Sequence, residues 1–298
     1  MADIALAALF AVFIWWFSTG IVLLLNGMQR RAYRWSLLIS TALATASLVA
    51  LAHTAQQTTM AGAYCAFTCA LLVWGWHELS FLTGWITGPR TTALPEHLRE
   101  GHEGQRFVQS VRAILWHELA IVAVGLFIVA ITWGAPNQVG TWTFLVLWSM
   151  RTSAKLNLFL GVRNLSEEFL PPHLVYLSSF FRRRAMNLLF PFVVTAASAV
   201  LALMVMRALE PGIDEVTVLG LTLVGTMLAL AILEHWMLVL PVPTTALWRW
   251  AMASKRQPPA LAVKEPAIPS SPAQAHPAIG GTPLDNDEKL LHPRQYAQ

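Results

Sequence analysis

The chain has 298 residues, of which 56% are hydrophobic and only 12% are Asp, Glu, Lys or Arg. A soluble globular domain carries about 25% charged residues, so this composition excludes a water-soluble globule. With 17 glycines and two cysteines, it also excludes a collagen-like chain and a disulfide-stabilised scaffold. The class that remains is an integral membrane protein.

Long apolar runs follow one another along most of the chain. A helix needs about 20 apolar residues to cross the hydrocarbon core of a bilayer. Seven runs approach or exceed that length, at residues 4–25, 36–53, 60–82, 113–133, 141–160, 188–208 and 216–240. A β-barrel would instead show segments of about ten residues with alternating polarity. The sequence therefore predicts an all-α bundle of about seven transmembrane helices within residues 1–252.

The connections between these runs alternate in charge. Those after the first, third, fifth and seventh runs carry arginine or lysine, among them Arg30 and Arg90. The other three, at residues 53–59, 134–140 and 208–216, contain neither. Because cations mark cytoplasmic loops, the pattern predicts an N-terminus outside and a C-terminus in the cytoplasm. This topology also accounts for the net charge of +4 without a nucleic-acid partner.

Two polar segments and the tail depart from the helical pattern. Residues 95–107 are interpreted as a solvated loop. In residues 161–187, Pro171-Pro172 stops any helix, and the short amphipathic stretch that follows ends in three arginines. We interpret this stretch as an interfacial helix, with a docking surface or a lid as functional alternatives. Residues 253–298 are rich in Pro and Ala and are predicted to be a disordered cytoplasmic tail.

Ionisable residues recur near the predicted cytoplasmic ends of the helices. Each costs several kcal/mol inside a membrane unless it is paired, so each is a candidate functional residue. The set consists of three adjacent His–Glu pairs and two cations of the fifth run: His77, Glu78, His117, Glu118, Glu234, His235, Arg151 and Lys155. Neighbouring residues on a helix point about 100° apart, so the two members of a pair cannot easily serve one ligand.

Three interpretations of this set stay open. In the first, the carboxylates pair with Arg151 and Lys155 and only hold the helices together. In the second, one residue from each helix binds iron, zinc or manganese, with Glu78, Glu118 and Glu234 as candidate metal ligands. The Glu-x-x-His pattern typical of di-iron bundles is absent from these pairs.

The third interpretation is contact with a tetrapyrrole. Its central metal takes an axial histidine from a helix, with aromatic side chains against the macrocycle. His77, His117 and His235 each have a tryptophan beside them in the sequence. Arg151 and Lys155 would then meet a propionate or a partner's carboxylate. The chain has no phosphate-binding loop, nucleophile elbow or nucleotide motif, so catalytic residues stay unassigned and a non-enzymatic role is favoured.

Three stretches carry a family resemblance: WHELSFLTGWITGPR at residues 76–90, the segment 151–191 that begins RTSAKLNLFLGVRNLSEEF, and LEHWMLVLPVPTTALWRW at 233–250. Together they resemble the photosynthetic complex assembly proteins of PuhE type, over nearly all of residues 1–252. That family occurs in purple phototrophic bacteria, beside the gene for the reaction-centre H subunit. The resemblance implies biogenesis of the reaction centre and core light-harvesting complex in the inner (intracytoplasmic) membrane, and control of bacteriochlorophyll supply.

The residues and the resemblance together predict an assembly factor that contacts bacteriochlorophyll or a precursor. In this hypothesis His77, His117 and His235 are axial ligands, and the adjacent glutamates orient them. The expected partners are reaction-centre and core antenna subunits and other photosynthetic assembly factors. The alternative is a metal-dependent membrane oxidoreductase that uses iron at the same cluster on a tetrapyrrole or lipid. A further alternative is a scaffold that binds only proteins, through residues 161–187.

Overall fold

The computed structural model describes residues 2–98, 101–241 and 244–252. The tail predicted over residues 253–298 lies outside the described residues, and its disorder stays a prediction. Within the described part, regular secondary structure is helical, apart from one isolated β-bridge between Val162 and Arg183. The all-α prediction is confirmed for these residues.

A long helix occupies each of the seven apolar runs. The helices are α1 (Ala2–Asn26), α2 (Arg30–Thr54), α3 (Met60–Leu82), α4 (Glu103–Ile131), α5 (Val139–Leu160), α6 (Leu189–Ala208) and α7 (Glu215–Met237), followed by the short α8 (Arg249–Met252). By length and composition, six of them are able to cross a membrane, and α5 is not among the six. Arg151, Lys155 and Asn157 lower the hydropathy of α5, whose place in a membrane therefore depends on its neighbours.

Helix α3 lies at the centre of the bundle and contacts α1, α2, α4, α5 and α7. Its small residues Ala63, Ala66 and Ala70 are fully or almost fully buried, and they allow neighbouring helices to approach closely. One apolar cluster around Phe67 joins α3 to α1 and α7, and a second around Phe144 joins it to α2, α4 and α5. Helix α6 is peripheral and packs mainly on α7.

Residues 161–187, here called the basal segment, lie at the end of the bundle where α3, α5 and α7 finish, here called the basal end. The side chain of Asn164 donates a hydrogen bond to the carbonyl of Met237 (2.8 Å), at the end of α7. His173 Nε2 bonds the carbonyl of Leu82, at the end of α3 (2.9 Å). Asn187 donates to the carbonyl of Gly161 just after α5 (2.9 Å). The last carbonyls of a helix have no partner within it, and the basal segment supplies partners to three helices.

Within the basal segment, residues Pro172–Phe180 form a 3-10 helix. Its side chains Leu174, Leu177 and Phe180 are buried against Leu94 and other apolar residues before and within α4. These three side chains therefore pack on protein instead of facing lipid, and the position of the stretch at a membrane interface stays a prediction.

Helix α4 begins at Glu103, ten residues before the predicted run at 113–133, within what was interpreted as a solvated loop. The reason is Arg106, whose side chain is only 2% exposed. Its guanidinium donates to the carbonyls of Phe159 and Phe180 and lies 3.9 Å from the ring centroid of Phe159. These carbonyls belong to the ends of two helices, where a cation is favourable. The contacts of Arg106 thus hold the extended first turns of α4 on the protein.

Between α3 and α4 the chain turns at Gly84, whose φ is +79°, and residues 85–95 then have no helical structure before a 3-10 helix at Glu96–Leu98. The carbonyl of Thr87 accepts a hydrogen bond from the amide of His117 (2.9 Å). At Gly88 the two main chains are so close that a Cβ atom would lie 2.1 Å from the carbonyl oxygen of Arg112. Thr87 and Gly88 are buried, so protein covers the non-helical backbone at this contact with α4.

After α7, residues 244–252 contact α1, and hydrogen bonds of Trp16 and Trp248 join the two parts of the chain. Trp248 donates its indole N–H to the carbonyl of Trp16 (3.2 Å), and Trp16 donates to the carbonyl of Leu247 (3.0 Å). A Cβ atom on Gly20 would lie 2.0 Å from the ring of Trp250, so this position of α1 accommodates an indole.

Replacing Gly88 with Ala should destabilise the protein by about 1–3 kcal/mol, the range for forcing extra atoms into a packed site. The matched control is Gly75→Ala on α3, where a Cβ atom meets nothing within 4 Å. There, alanine should be neutral or stabilising, because glycine is the poorer helix former. Thermal unfolding in detergent measures both, and equal melting temperatures for the two variants would contradict the close contact.

His173 should make stability depend on pH. Its burial lowers the pKa of the imidazole below the ordinary value of 6.5, against the opposing effect of the hydrogen bond to Leu82. The unfolded chain therefore takes up the proton first, and stability present above pH 6.5 is lost as pH falls below it. We therefore compare wild type with His173→Gln, whose amide can still donate to Leu82. When pH falls from ~7.5 to ~5.5, the melting temperature of the variant should fall less than that of wild type. Parallel pH profiles would contradict this assignment.

Candidate functional site

Helices α3, α4 and α5 bring six of the predicted site residues to the basal half of the bundle: His77, Glu78, His117, Glu118, Arg151 and Lys155. They form two ion pairs and one pair of imidazoles. The two remaining residues, Glu234 and His235, lie on α7 and make separate contacts with α1 and α5.

The cations of α5 are paired with carboxylates of two different helices. Arg151 Nη2 lies 3.3 Å from Glu78 Oε2 on α3, and Lys155 Nζ lies 2.5 Å from Glu118 Oε1 on α4. Arg151 and Lys155 are four residues apart and therefore share one face of α5. A cation on a helix of an apolar bundle is tolerable where an opposite charge is in contact, as it is for both Arg151 and Lys155. These pairs tie α5 to its neighbours.

Glu234 has a different kind of partner. Its Oε1 accepts a hydrogen bond from the indole N–H of Trp15 on α1 (3.0 Å). No ion pair of Glu234 occurs among the described residues. The cluster therefore contains three carboxylates and two cations, and both cations are paired with other carboxylates.

His235 is hydrogen-bonded at both ring nitrogens. Nδ1 lies 2.8 Å from the carbonyl of Ala231, one turn earlier, so this nitrogen carries the proton and donates it. Nε2 then accepts from the hydroxyl of Ser153 on α5 (2.9 Å). Because both nitrogens are engaged, an axial ligand at His235 would first have to give up the bond to Ser153.

His77 and His117, in contrast to His235, have buried ring nitrogens without a hydrogen-bond partner. They are 0% and 1% exposed, and their ring centroids lie 6.5 Å apart with the ring planes at 75°. Both nitrogens of His77 and Nδ1 of His117 are buried without a hydrogen-bond partner. Oε1 of Glu78 is also buried and unpartnered. A buried polar atom without a partner costs about 1–3 kcal/mol, so this place holds unused binding capacity.

Aromatic rings enclose the two imidazoles. His77 contacts Trp76 (centroids 4.9 Å apart) and Phe144 (6.1 Å), and His117 contacts Phe81 (4.5 Å). The indole of Trp76 is itself held by a hydrogen bond to Thr41 on α2 (2.8 Å). We call the space around His77 and His117 the imidazole site.

Sequence comparison places these residues in a known family. A family model described as protein of unknown function (DUF3623) matches residues 1–259. The chain belongs to the DUF3623 family. A curated member of similar sequence is the uncharacterized 30.4 kDa protein in the puhA 5′ region of Rhodobacter capsulatus, which is 38% identical over 267 residues, or 88% of this chain and 95% of that protein. No solved structure matches the chain.

The gene region in that relative's name is consistent with a photosynthesis-related DUF3623 protein, in agreement with the resemblance at this coarser level. The comparisons assign no ligand and no site residue. What the imidazole site does must therefore be argued from its chemistry.

At each of the three candidate glutamates, a metal ion would compete with a side chain that already contacts the carboxylate. Glu78 and Glu118 are engaged by cations and Glu234 by an indole. Among the described contacts, none of the three carboxylates bonds the imidazole next to it in sequence. No group of three or more His, Cys, Asp or Glu side chains in the described residues is arranged to hold a metal ion. The metal-ligand hypothesis stays a prediction. At Glu118 and Glu234 it requires these partners to be displaced, whereas Oε1 of Glu78 has no partner.

Sequence reasoning missed three residues that shape the site: Trp15, Thr41 and Ser153. Ser153 lies between Arg151 and Lys155 on α5, and its position in a charged stretch was a usable signal. Trp15 and Thr41 lie in apolar helices far away in sequence, where nothing local distinguishes them.

A double-mutant cycle should reveal the pairing of Lys155 with Glu118. Lys155→Met leaves a carboxylate without its cation and should cost up to about 3 kcal/mol, the lower limit for a buried pair, since each side chain is 23% exposed. Adding Glu118→Gln should recover part of the loss. The control is Arg207→Met, which removes an exposed pair with Glu210 and should cost about 0–1 kcal/mol. Additive losses in thermal unfolding would contradict the pairing.

Proposed function

We propose that the protein is a biogenesis factor for the photosynthetic reaction centre and core light-harvesting complex, and that it handles bacteriochlorophyll or a precursor. Membership of a family whose relative is named for the puhA region supports a photosynthetic role. The PuhE-type resemblance supports the narrower process, and the imidazole site supports the pigment.

The proposed setting is the bacterial inner (intracytoplasmic) membrane, crossed by α1 to α7 with the N-terminus outside. This proposal counts α5 as a membrane span in addition to the six helices that qualify by length and composition. Support comes from its packing between α3, α4 and α7 and from the pairing of both its cations. The arginines of alternate connections support a cytoplasmic location for the basal end and for the tail, residues 253–298.

The observation that carries the pigment proposal is the state of His77 and His117. A chlorophyll-type magnesium takes one axial imidazole, and its macrocycle packs against aromatic side chains. Both requirements are present: imidazole nitrogens without partners, and walls formed by Trp76, Phe81 and Phe144. Because His77 is fully enclosed, these side chains must rotate outward when a macrocycle binds.

Reaction-centre and core antenna subunits, together with other assembly factors, are the proposed partners. The basal segment offers a surface for them, since Arg183 and Arg184 are exposed there. Asn164, His173 and Asn187 of the same segment bond the helix ends, so the exposed arginines are the part proposed for docking.

The test is the absorption spectrum of the protein purified in mild detergent from a phototrophic host. We expect bands of a bound tetrapyrrole, and we expect His77→Ala or His117→Ala to remove them by taking away an axial ligand. His235→Ala is the matched control, because it also removes a buried imidazole, but one whose nitrogens are both engaged. This control should lose thermal stability and keep its pigment.

A colourless wild-type protein from a pigment-producing host would contradict pigment handling. Stoichiometric iron in that colourless protein would favour the oxidoreductase alternative. Equal pigment loss in all three histidine variants would show a general effect of misfolding instead of ligation.

A further inference from the structure

The turn between α1 and α2 contains a cleft that is separate from the imidazole site. Its volume is about 600 Å³, within the usual range for ligand pockets. The residues that line it lie in the turn and in the first two turns of α2: Gly27, Met28, Gln29, Arg31, Ala32 and Trp35. The hydroxyl of Tyr33 donates a hydrogen bond to the carbonyl of Asn26 (2.8 Å). The cleft therefore lies beside two helix ends that are bonded to each other.

The cleft is at the basal end of the bundle. Helices α2 and α3 pack side by side, and a short connection, residues 55–59, joins Thr54 to Met60. The two helices therefore run in opposite directions, and α2 begins where α3 finishes. The charge of Arg30, the first residue of α2, also acts on the imidazole of His173 in the basal segment. In the proposed membrane position, a ligand in the cleft lies at the surface of the leaflet on this side.

The turn is rich in cations that lie far from carboxylates in the sequence. Arg30, Arg31 and Arg34 follow one another closely, and the chain contains neither Asp nor Glu between Asp3 and Glu78. In the part of the chain that the structure describes, none of these three arginines makes an ion pair, whereas five other arginines do. An anion can therefore reach a guanidinium here without displacing a carboxylate of the protein.

An apolar face of α2 continues from the cleft towards the opposite end of the helix. Trp35 lines the cleft and is 69% exposed. Leu38, Ile39 and Leu43 are also exposed, and they follow Trp35 at the helical spacing that puts them on the same face. The indole is suited to the membrane interface, with its N–H towards the headgroups, and the aliphatic side chains are suited to lipid chains. A ligand that fits both parts has an anionic head and a hydrocarbon chain.

We propose that the cleft binds the phosphate group of an anionic phospholipid, with an acyl chain along the exposed face of α2. Phosphate is a preferred partner of guanidinium, which can donate two parallel hydrogen bonds to it. Basic pockets between transmembrane helices hold anionic headgroups in this way. Arg31 contacts the phosphate, and Trp35 lies between the head and the chain. The proposal is independent of the proposed function, because the imidazole site takes no part in it.

Native mass spectrometry of the purified full chain in detergent tests the proposal, because it counts bound lipids and gives their affinities. The anionic probe is phosphatidylglycerol, and phosphatidylcholine with the same acyl chains is the zwitterionic one. We expect phosphatidylglycerol to bind at least about fivefold more tightly, the factor for one arginine at an anionic lipid surface. Excess inorganic phosphate should not displace it, because phosphate lacks the chain that contacts α2.

Variants then locate the site. Arg31→Gln should weaken binding of phosphatidylglycerol about fivefold and leave phosphatidylcholine nearly unchanged. Trp35→Ala should weaken both lipids, because the contact it removes is common to both. The matched control is Arg34→Gln, since Arg34 is an exposed arginine of the same helix that does not line the cleft. This control should change binding far less than Arg31→Gln, and thermal unfolding shows whether each variant is folded.

Each result decides a separate point. Equal binding of the two lipids by the wild-type protein would overturn the proposal, and so would the absence of bound lipid from a folded chain. Equal losses in Arg31→Gln and Arg34→Gln would overturn the assignment to the cleft, since they indicate diffuse attraction to a basic turn. Displacement by inorganic phosphate would identify a simple anion site instead of a lipid site. Pigment binding is measured separately, so its failure and the failure of this proposal are distinguishable.

Discussion

The structure depends on the requirement that the two cations of α5 have partners inside the bundle. Arg151 and Lys155 share one face of their helix, so their partners must come from helices packed on that face. Glu78 on α3 and Glu118 on α4 meet this requirement. The pairing ties α5, which does not qualify as a membrane span by its own composition, to α3 and α4.

A second constraint acts at the basal end, where several helices finish together. Their last carbonyls have no partners within the helices and need donors from elsewhere. Arg106, Asn164 and His173 meet this need from three different elements. The 161–187 segment is consequently part of the core packing, and any partner that docks on it meets a surface already rigidly attached to α3, α5 and α7.

The seven long helices could be predicted from sequence because each apolar run is about long enough for a helix of membrane length, although α5 does not qualify as a span by composition. The different directions of the His and Glu side chains in each pair could also be predicted, since neighbouring residues on a helix point about 100° apart. The early start of α4 could not, because its first turns are polar and depend on Arg106 reaching carbonyls of two distant helices. The difference between His235 and the other two histidines depends on Ser153. Its position between Arg151 and Lys155 marks Ser153 as a candidate but does not identify His235 as its partner.

Among the described residues, buried side-chain atoms without a hydrogen-bond partner are most concentrated around His77 and His117. Of the nine buried side-chain atoms without a partner, four belong to His77, Glu78 and His117. A helix-packing network would have satisfied them, as Ser153 satisfies His235. Retaining several unsatisfied atoms in one enclosed site costs stability, and such costs are typical of positions kept for a ligand. The ion pairs of α5 engage Arg151 and Lys155 with Glu78 and Glu118, and the nitrogens of His77 and Nδ1 of His117 are left without hydrogen-bond partners.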